Sequence, residues 1–224
     1  MGGILIAIDG PAGSGKSSVA REVARRLGVV DISTGAVYRA VALVALEEGV
    51  DHADEEGLVR IARKMELAPG GVRYDGRWIS GEELHAPEVS GVASRVSVHS
   101  GVREVLLPVQ RRAAEEARRA GGAVVEGRDI GTVVLPEADL KVFLSASTEE
   151  RARRRALQSG MESELDEVRR AIMLRDRRDT ERESAPLRPA PDAVVLDTTD
   201  MGFEEVVEKI TALARRRSGS SAGG

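Results

Sequence analysis

The sequence contains no cysteine among its 224 residues and only five aromatic residues. Without cysteine there is no disulfide framework, no thiolate zinc site and no cysteine nucleophile. Five aromatic side chains are too few for a platform on which nucleic-acid bases stack, so the core must consist of Val, Leu, Ile and Ala. The three histidines, His52, His85 and His99, stand in unrelated sequence contexts. We interpret them as structural or surface residues, which disfavours histidine-based catalysis and metal binding.

Long apolar runs are also missing: no stretch is apolar over the roughly 18 residues that a membrane-spanning helix needs. The N-terminal residues have no basic segment and lead directly into a motif, which does not fit a signal peptide. We therefore expect a cytoplasmic protein without a membrane partner. Acidic residues outnumber basic ones by 37 to 33, for a formal net charge of −4. Because proteins that bind nucleic acid through its charge have the opposite balance, nucleic acid is not an expected partner.

Arginine is abundant instead: 29 of the 33 basic residues are arginines and only four are lysines. The planar guanidinium group donates two parallel hydrogen bonds to phosphate or carboxylate oxygens. The bias therefore indicates anion binding, although for most of these arginines the simplest interpretation is a solvated surface side chain.

Short apolar runs alternate with amphipathic segments along the chain. Five runs are typical of strands buried on both faces, namely residues 4–8, 29–32, 123–125, 140–144 and 193–196. Amphipathic spacing predicts a helix after each of them, among these one that starts near Thr148 and one over 203–217. The alternation predicts an α/β fold, a doubly wound parallel sheet with helices on both faces and ligands at the carboxyl ends of the strands.

A long insertion interrupts this alternation between residues 33 and 121. It contains four predicted helices, over 35–48, 54–65, 87–98 and 102–119. Residues 67–81 are rich in glycine and have short alternating runs, which we interpret as a small β-hairpin lobe. We expect one domain over residues 1–217 that contains this insertion. The tail, residues 218–224, consists of Ser, Gly and Ala and is expected to be disordered.

Residues 10–17 match the phosphate-binding pattern G-x-x-x-x-G-K-[ST] between a predicted strand and a predicted helix. The glycines let successive backbone N–H groups surround phosphate oxygens, and the helix N-terminus adds partial positive charge. In such a loop Lys16 reaches the β- and γ-phosphates and the Ser17 hydroxyl ligates Mg²⁺. We therefore expect ATP and Mg²⁺ as cofactors. The expected ATP-binding residues are Gly10, Pro11, Ala12, Gly13, Ser14, Gly15, Lys16, Ser17 and Ser18.

The loop alone is compatible with GTPases, ATPases and small-molecule kinases. The chain has no Asn-Lys-x-Asp run for a guanine site, and motor or helicase ATPases usually need a longer chain. Small size and a long insertion after the second strand favour a kinase of a small acceptor.

Three further segments carry a family resemblance. Residues 31–39 read Asp-Ile-Ser-Thr-Gly-Ala-Val-Tyr-Arg, 126–132 read Glu-Gly-Arg-Asp-Ile-Gly-Thr, and 175–182 read Arg-Asp-Arg-Arg-Asp-Thr-Glu-Arg. Together they resemble the signature segments of bacterial cytidylate kinases, which are nucleoside monophosphate kinases, and the similarity extends over about residues 4–216. The resemblance implies Mg²⁺-dependent transfer of the γ-phosphoryl group of ATP to CMP or dCMP. It also implies a P-loop kinase sheet of order 2-3-1-4-5, a monophosphate-binding lobe formed by the insertion, and a short arginine-bearing lid at about residues 148–165.

The resemblance also implies the residues of the acceptor site. The acceptor phosphate is assigned to Thr34, Arg39, Arg128 and Arg182. The cytosine base is assigned to Ser94, Arg103 and Asp129, and an acid with an arginine suits its N4 donor and its N3 and O2 acceptors. Arg175 and Asp179 lie four residues apart on one helical face, so we expect them to pair and to reach the sugar.

Catalysis of this reaction needs no general base, because a monophosphate is largely ionised near neutrality, its second pKa being about 6. Aligning two anions and neutralising the transferring group is work for lysine, arginine and Mg²⁺. The expected catalytic residues are Lys16, Arg128, Arg151 and Arg155. Spacing does not decide which arginine of residues 151–155 faces ATP. For the metal we expect Ser17 and Glu126, which stands where the family pattern has Asp.

Other interpretations stay open. The chain is also compatible with a kinase of another small acceptor, such as UMP or a sugar. A nucleotide-sensing switch that slowly hydrolyses ATP or GTP would need the same loop. We expect a monomer whose partners are small molecules, CMP or dCMP together with ATP.

Overall fold

The five apolar runs become the strands of one parallel sheet in a computed structural model that describes residues 3–220. In chain order the strands are β1 (Ile4–Asp9), β2 (Val30–Ser33), β3 (Met65–Ala68), β4 (Gly71–Tyr74), β5 (Arg77–Ile79), β6 (Gly122–Gly127), β7 (Leu140–Ser145) and β8 (Val194–Asp197). The parallel sheet has the order β2-β6-β1-β7-β8. Numbered along the chain, these strands follow the expected order 2-3-1-4-5, and the α/β fold class is confirmed.

Helices occupy most of the connections between the strands. They are α1 (Lys16–Leu27), α2 (Gly35–Glu48), α3 (Glu55–Ala62), α4 (Gly81–Leu84), α5 (Pro87–Val96), α6 (Ser100–Arg119), α7 (Thr148–Ser159), α8 (Leu165–Glu181) and α9 (Phe203–Ser220). A π-helical turn, Ile130–Val134, follows β6, and a 3₁₀ turn, Glu162–Glu164, connects α7 to α8. None of the helices in the described part of the chain is both long and apolar enough to cross a membrane.

Contacts divide the chain into two units. The first contains the chain up to Asp31 and from Arg118 onward, and the second is Ile32–Ala117. In the first unit, α1 and α9 pack against the sheet through one apolar core. Ile6 and Ile8 enter this core because alternate residues of a strand point to the same face. Val19 and Val23 of α1 enter it because residues four apart share one side of a helix.

The second unit combines helices with a small antiparallel sheet of order β3-β4-β5. The predicted β-hairpin is present as β4 and β5, which pair Val72 with Ile79. The third strand, β3, was not expected, because residues 54–65 were predicted as one helix. In the structure α3 ends at Ala62, and Met65 begins a strand in which buried and exposed residues alternate. Four residues are too short a run for this period to stand out in the sequence.

The C-terminal helix is longer than predicted. Amphipathic spacing indicated a helix over 203–217 followed by a disordered tail, but α9 continues to Ser220. The remainder of that predicted tail, residues 221–224, lies outside the described residues. The expectation that residues 1–217 act as one kinase domain with an insertion stays a prediction.

The packing of α9 on the sheet gives a stability prediction. Ile210 is fully buried in the core shared with α1 and the sheet, so Ile210→Ala is expected to lower the free energy of unfolding by about 2–5 kcal/mol. Val195 on β8 is 58% exposed, and Val195→Ala is expected to change it by about 0.5 kcal/mol or less. Urea unfolding at neutral pH measures both. Equal losses in the two variants would contradict the burial of α9.

Candidate active site

The phosphate-binding loop connects β1 to α1, as the motif predicts. Lys16 opens α1 and is only 5% exposed, and its Nζ donates to the carbonyl oxygen of Pro11 at 2.7 Å. Gly13 has a φ of 74°, and a Cβ atom there would lie 2.7 Å from the carbonyl oxygen of Arg151. Only glycine meets both conditions, so the motif glycine is required by the local backbone.

The Lys16 ammonium group lies in a poorly solvated environment, close to both arginines and acids. Burial lowers its pKa well below the ordinary value, and the charge of Arg128 lowers it further. Arg175 adds a smaller effect of the same sign as Arg128, whereas Glu126 and Asp179 raise the pKa of Lys16. An anion that binds here restores the charged form of the lysine, because opposite charge favours the ionised state. The site is therefore arranged for a negatively charged ligand.

A hydroxyl and a carboxylate meet at the start of α1. Ser17 Oγ donates to Glu126 Oε1 at 3.1 Å, and Glu126 lies in β6, next to β1 in the sheet. Hard oxygen ligands of this kind suit Mg²⁺. Within residues 3–220 no group of three His, Asp or Glu side chains is arranged to hold a metal. A Mg²⁺ ion at Ser17 and Glu126 would therefore take its other ligands from phosphates and water.

Several predicted acceptor residues of the first unit are close together. Arg128, just after β6, donates from Nε to Asp179 Oδ2 on α8 at 2.9 Å. Arg175 Nε is 4.0 Å from the same oxygen, so the expected Arg175–Asp179 pair is present but is the weaker one. Arg182 Nη2 lies 3.5 Å from Asp129 Oδ1. Pairs of arginines and aspartates thus connect the loop after β6 with the C-terminal end of α8.

The two predicted lid arginines occupy different environments. Arg151 is buried and donates from Nη1 to the carbonyl oxygen of Ala12 at 2.9 Å. Arg155 is exposed and donates to Gln158 Oε1 at 3.2 Å. The guanidinium group of Arg151 therefore binds the backbone of the phosphate-binding loop, a contact that the spacing of these arginines did not predict. Contact of either arginine with ATP stays a prediction.

Asp9 is a site residue that the sequence reasoning missed. It ends β1, and its two carboxylate oxygens accept the backbone N–H groups of Ile130 at 2.8 Å and Gly131 at 2.7 Å. Burial raises the pKa of Asp9 to about 6, against the lowering effect of these two hydrogen bonds. The carboxylate therefore fixes the turn that directly follows Asp129. An acid at the carboxyl end of a buried parallel strand was the signal available in the sequence.

The second unit holds the other predicted acceptor residues. Thr34 is buried immediately before α2, and the Arg39 guanidinium group lies against Gly35 in the first turn of that helix. Arg103 of α6 stacks 5.6 Å from the ring centre of Tyr38. The Ser94 hydroxyl of α5 is buried and has no hydrogen-bond partner within residues 3–220. A buried hydroxyl without a partner is a group that a polar ligand can satisfy.

A family model and sequence relatives both indicate one family. The family model for cytidylate kinase matches residues 6–216. A cytidylate kinase of Geobacillus kaustophilus (strain HTA426) is 47% identical, over 96% of this chain and 98% of that protein. A bifunctional pantoate ligase/cytidylate kinase of Synechococcus sp. (strain JA-3-3Ab) is 46% identical over 97% of this chain, which spans 42% of that protein. A solved gluconokinase structure from Sinorhizobium meliloti 1021 matches with a TM-score of 0.51 at 16% identity, over 98% of this chain and 95% of that one, and shows likeness of fold alone.

The buried carboxyl group of Asp9 gives a pH prediction. Its pKa is raised from 3.8 to about 6, so the folded protein binds more protons than the unfolded chain between these values. Protonated Asp9 therefore stabilises the fold below about pH 4, and this contribution is lost as the pH rises through about 6. Relative to Asp9→Asn, which stays neutral, the wild-type free energy of unfolding is expected to fall by about 2 kcal/mol from pH 4 to 7. Urea unfolding across this range measures it, and a constant or rising difference contradicts it.

Proposed function

Because the chain belongs to the cytidylate kinase family, we propose that it transfers the γ-phosphoryl group of ATP to CMP or dCMP, forming ADP and CDP or dCDP. It is a nucleoside monophosphate kinase, and thus a phosphotransferase with a phosphate as acceptor. The observation that carries this proposal is the buried Lys16 of the phosphate-binding loop, whose pKa is lowered by burial and by Arg128. A buried lysine beside an arginine favours substrates that carry several negative charges.

The donor side of the reaction rests on the loop and the start of α1. Backbone N–H groups at this helix N-terminus bind the donor phosphates, and Lys16 adds a charge that moves with the transferring group. We propose that Ser17 and Glu126 hold Mg²⁺, because their oxygens already lie 3.1 Å apart. When bound, the ion supplies positive charge to the donor phosphates.

The acceptor phosphate is the nucleophile, and in its ionised form it needs no base to remove a proton. The chain has to hold this anion in line with the donor against their mutual repulsion. Arg128 suits this role because a guanidinium group carries five N–H donors, more than its bonds to Asp179 and to the carbonyl oxygen of Gly127 use. Asp179 fixes the direction of that group. We assign Thr34, Arg39 and Arg182 to the same phosphate on the family pattern.

Recognition of cytosine needs an acceptor for the N4 amino group and donors for N3 and O2. We propose that Asp129 accepts from N4 and that Ser94 and Arg103 donate to the ring. The buried Ser94 hydroxyl, which has no partner in the described residues, supports this assignment. Uracil presents the opposite pattern at its position 4, so Asp129 disfavours UMP.

We also propose that the protein acts as a monomer in the cytoplasm. All assigned residues come from one chain, and both substrates are small soluble nucleotides. The excess of acidic residues supports the absence of a nucleic-acid partner.

An acceptor panel tests the function most broadly. ADP release is measured with CMP, dCMP, UMP, AMP and GMP at equal concentration, with ATP and Mg²⁺. We expect CMP or dCMP to support turnover at least about tenfold faster than the purines, because an unpaired buried polar group costs about 1–3 kcal/mol. A preference for AMP or GMP would overturn the cytosine assignment. Hydrolysis that no acceptor stimulates would favour the nucleotide-sensing switch.

Arg103 gives a sharper test of base recognition. Arg103→Ala is expected to raise the KM for CMP about tenfold and to change the KM for ATP less than twofold, because it removes a donor to the base. Arg112→Ala is the matched control, since Arg112 is exposed on the same helix, α6. Steady-state kinetics with each substrate varied in turn measures both constants. Equal loss for CMP and ATP, with a lower melting temperature, would show that Arg103 supports the fold instead.

A further inference from the structure

The tip of the phosphate-binding loop is packed into the pair of helices α7 and α8. The Ala12 side chain is buried in a small apolar cluster with residues of both helices, namely Ala152, Ala156, Val168 and Ile172. The cluster is separate from the core between the sheet, α1 and α9. The loop therefore has two supports: β1 and α1 hold its ends, and the helical pair holds its tip.

Both polar groups of the Ala12 backbone are bound by side chains of the helical pair. The N–H group donates to Asp176 Oδ1 of α8 at 3.0 Å, and the carbonyl oxygen accepts from Arg151 Nη1 of α7 at 2.9 Å. The same Arg151 nitrogen also donates to the second carboxylate oxygen of Asp176. These three residues form a closed ring of three hydrogen bonds, and each is charge-assisted because Arg151 or Asp176 takes part in it.

Arg151 is held firmly within this ring. Its Nε donates to the carbonyl oxygen of Ala146 at 3.0 Å, and its Nη2 donates to Thr148 Oγ1 at 3.2 Å. Every nitrogen of the guanidinium group thus has an acceptor. Since Arg151 is fixed to α7 in this way, Asp176 is the group that extends the ring to α8 and binds the loop N–H.

The residue after Ala12 transmits this contact to the cradle. Gly13 has a left-handed backbone and lies directly against the carbonyl oxygen of Arg151. The N–H groups that follow it must all point inward for phosphates to bind. If the tip is released, the loop samples other shapes, and ATP affinity falls with the population of the competent one.

We propose that Asp176 is a positioning residue for ATP, which with Arg151 clamps the Ala12 peptide groups and so couples the helical pair α7–α8 to the shape of the phosphate cradle. The proposal rests on ATP as the donor, as proposed above. Electrostatic repulsion would have the opposite effect on ATP affinity: if the Asp176 carboxylate mainly repels phosphates, its removal tightens ATP binding. Weaker ATP binding after removal of the carboxylate supports the positioning role, and tighter binding supports repulsion.

Two variants test the clamp. Asp176→Asn keeps an oxygen for the Ala12 N–H but loses the charged pair with Arg151, and Asp176→Ala loses both. Glu181→Gln is the matched control, because it breaks an exposed 3.0 Å pair with Arg177 on the same helix. The dissociation constant of ATP is measured by calorimetry with the full chain, without acceptor. We expect an increase of about threefold for Asp176→Asn, about tenfold for Asp176→Ala, and less than twofold for the control.

Further readouts separate positioning from folding. Hydrogen exchange of the peptide that contains residues 10–17 is expected to accelerate in both Asp176 variants, while the KM for CMP stays within twofold. Unchanged or tighter ATP binding overturns the clamp, and so does equal loss for ATP and CMP with a lower melting temperature. If Asp176→Ala does not fold, Asp176→Asn alone decides. Absence of ATP binding in the wild type would instead contradict the proposed function.

Discussion

The burial of the Lys16 ammonium group is the interaction on which the rest of the site depends. A lysine at 5% exposure, with Arg128 and Arg175 close enough to lower its pKa further, is an unfavourable arrangement without an anion. The sheet makes it possible, because β1 delivers the loop and β6 delivers Glu126 and Arg128 to the same edge. Negatively charged phosphate groups offset these positive charges. Offsetting the charge of the transferring phosphoryl group lowers the barrier to its transfer.

Acidic residues hold this positive site together. Asp9 binds two backbone N–H groups after Asp129, Asp176 binds the loop tip, and Asp179 directs Arg128. Each acid binds a cation or a backbone segment. Because these acids bind cations and backbone groups around the site, an arginine-rich anion site can occur in a chain of net negative charge. Arg151 binds the loop backbone as well, and its contact with ATP stays a prediction.

Strong local patterns made much of this molecule predictable. Strand, glycine loop and helix follow one another at residues 4–27 because each has its own period or motif, and the sheet order follows from the family resemblance. The strand β3 was not predicted because four residues are too few to reveal the alternation of buried and exposed side chains. The bond of Arg151 to the loop backbone was not predicted for a different reason. The i,i+4 spacing of Arg151 and Arg155 places both on one side of α7 but does not identify the partner of either side chain. The contacts of Asp9 and Asp176 join residues more than 100 positions apart. The place of Asp9 at the end of β1 could mark it as a site residue, but no local pattern identifies the partners of either acid.

The phosphate-binding loop with Lys16 is proposed to support transfer of the γ-phosphoryl group of ATP to a cytidine nucleotide, not mere hydrolysis of ATP. Phosphorus NMR of the enzyme with ATP, Mg²⁺ and CMP follows all products at once. We expect CDP and ADP to appear in equal amounts with little inorganic phosphate, and Lys16→Met to abolish both products while keeping the fold. Inorganic phosphate formed in place of CDP, or transfer that persists without the Lys16 charge, would contradict this proposal.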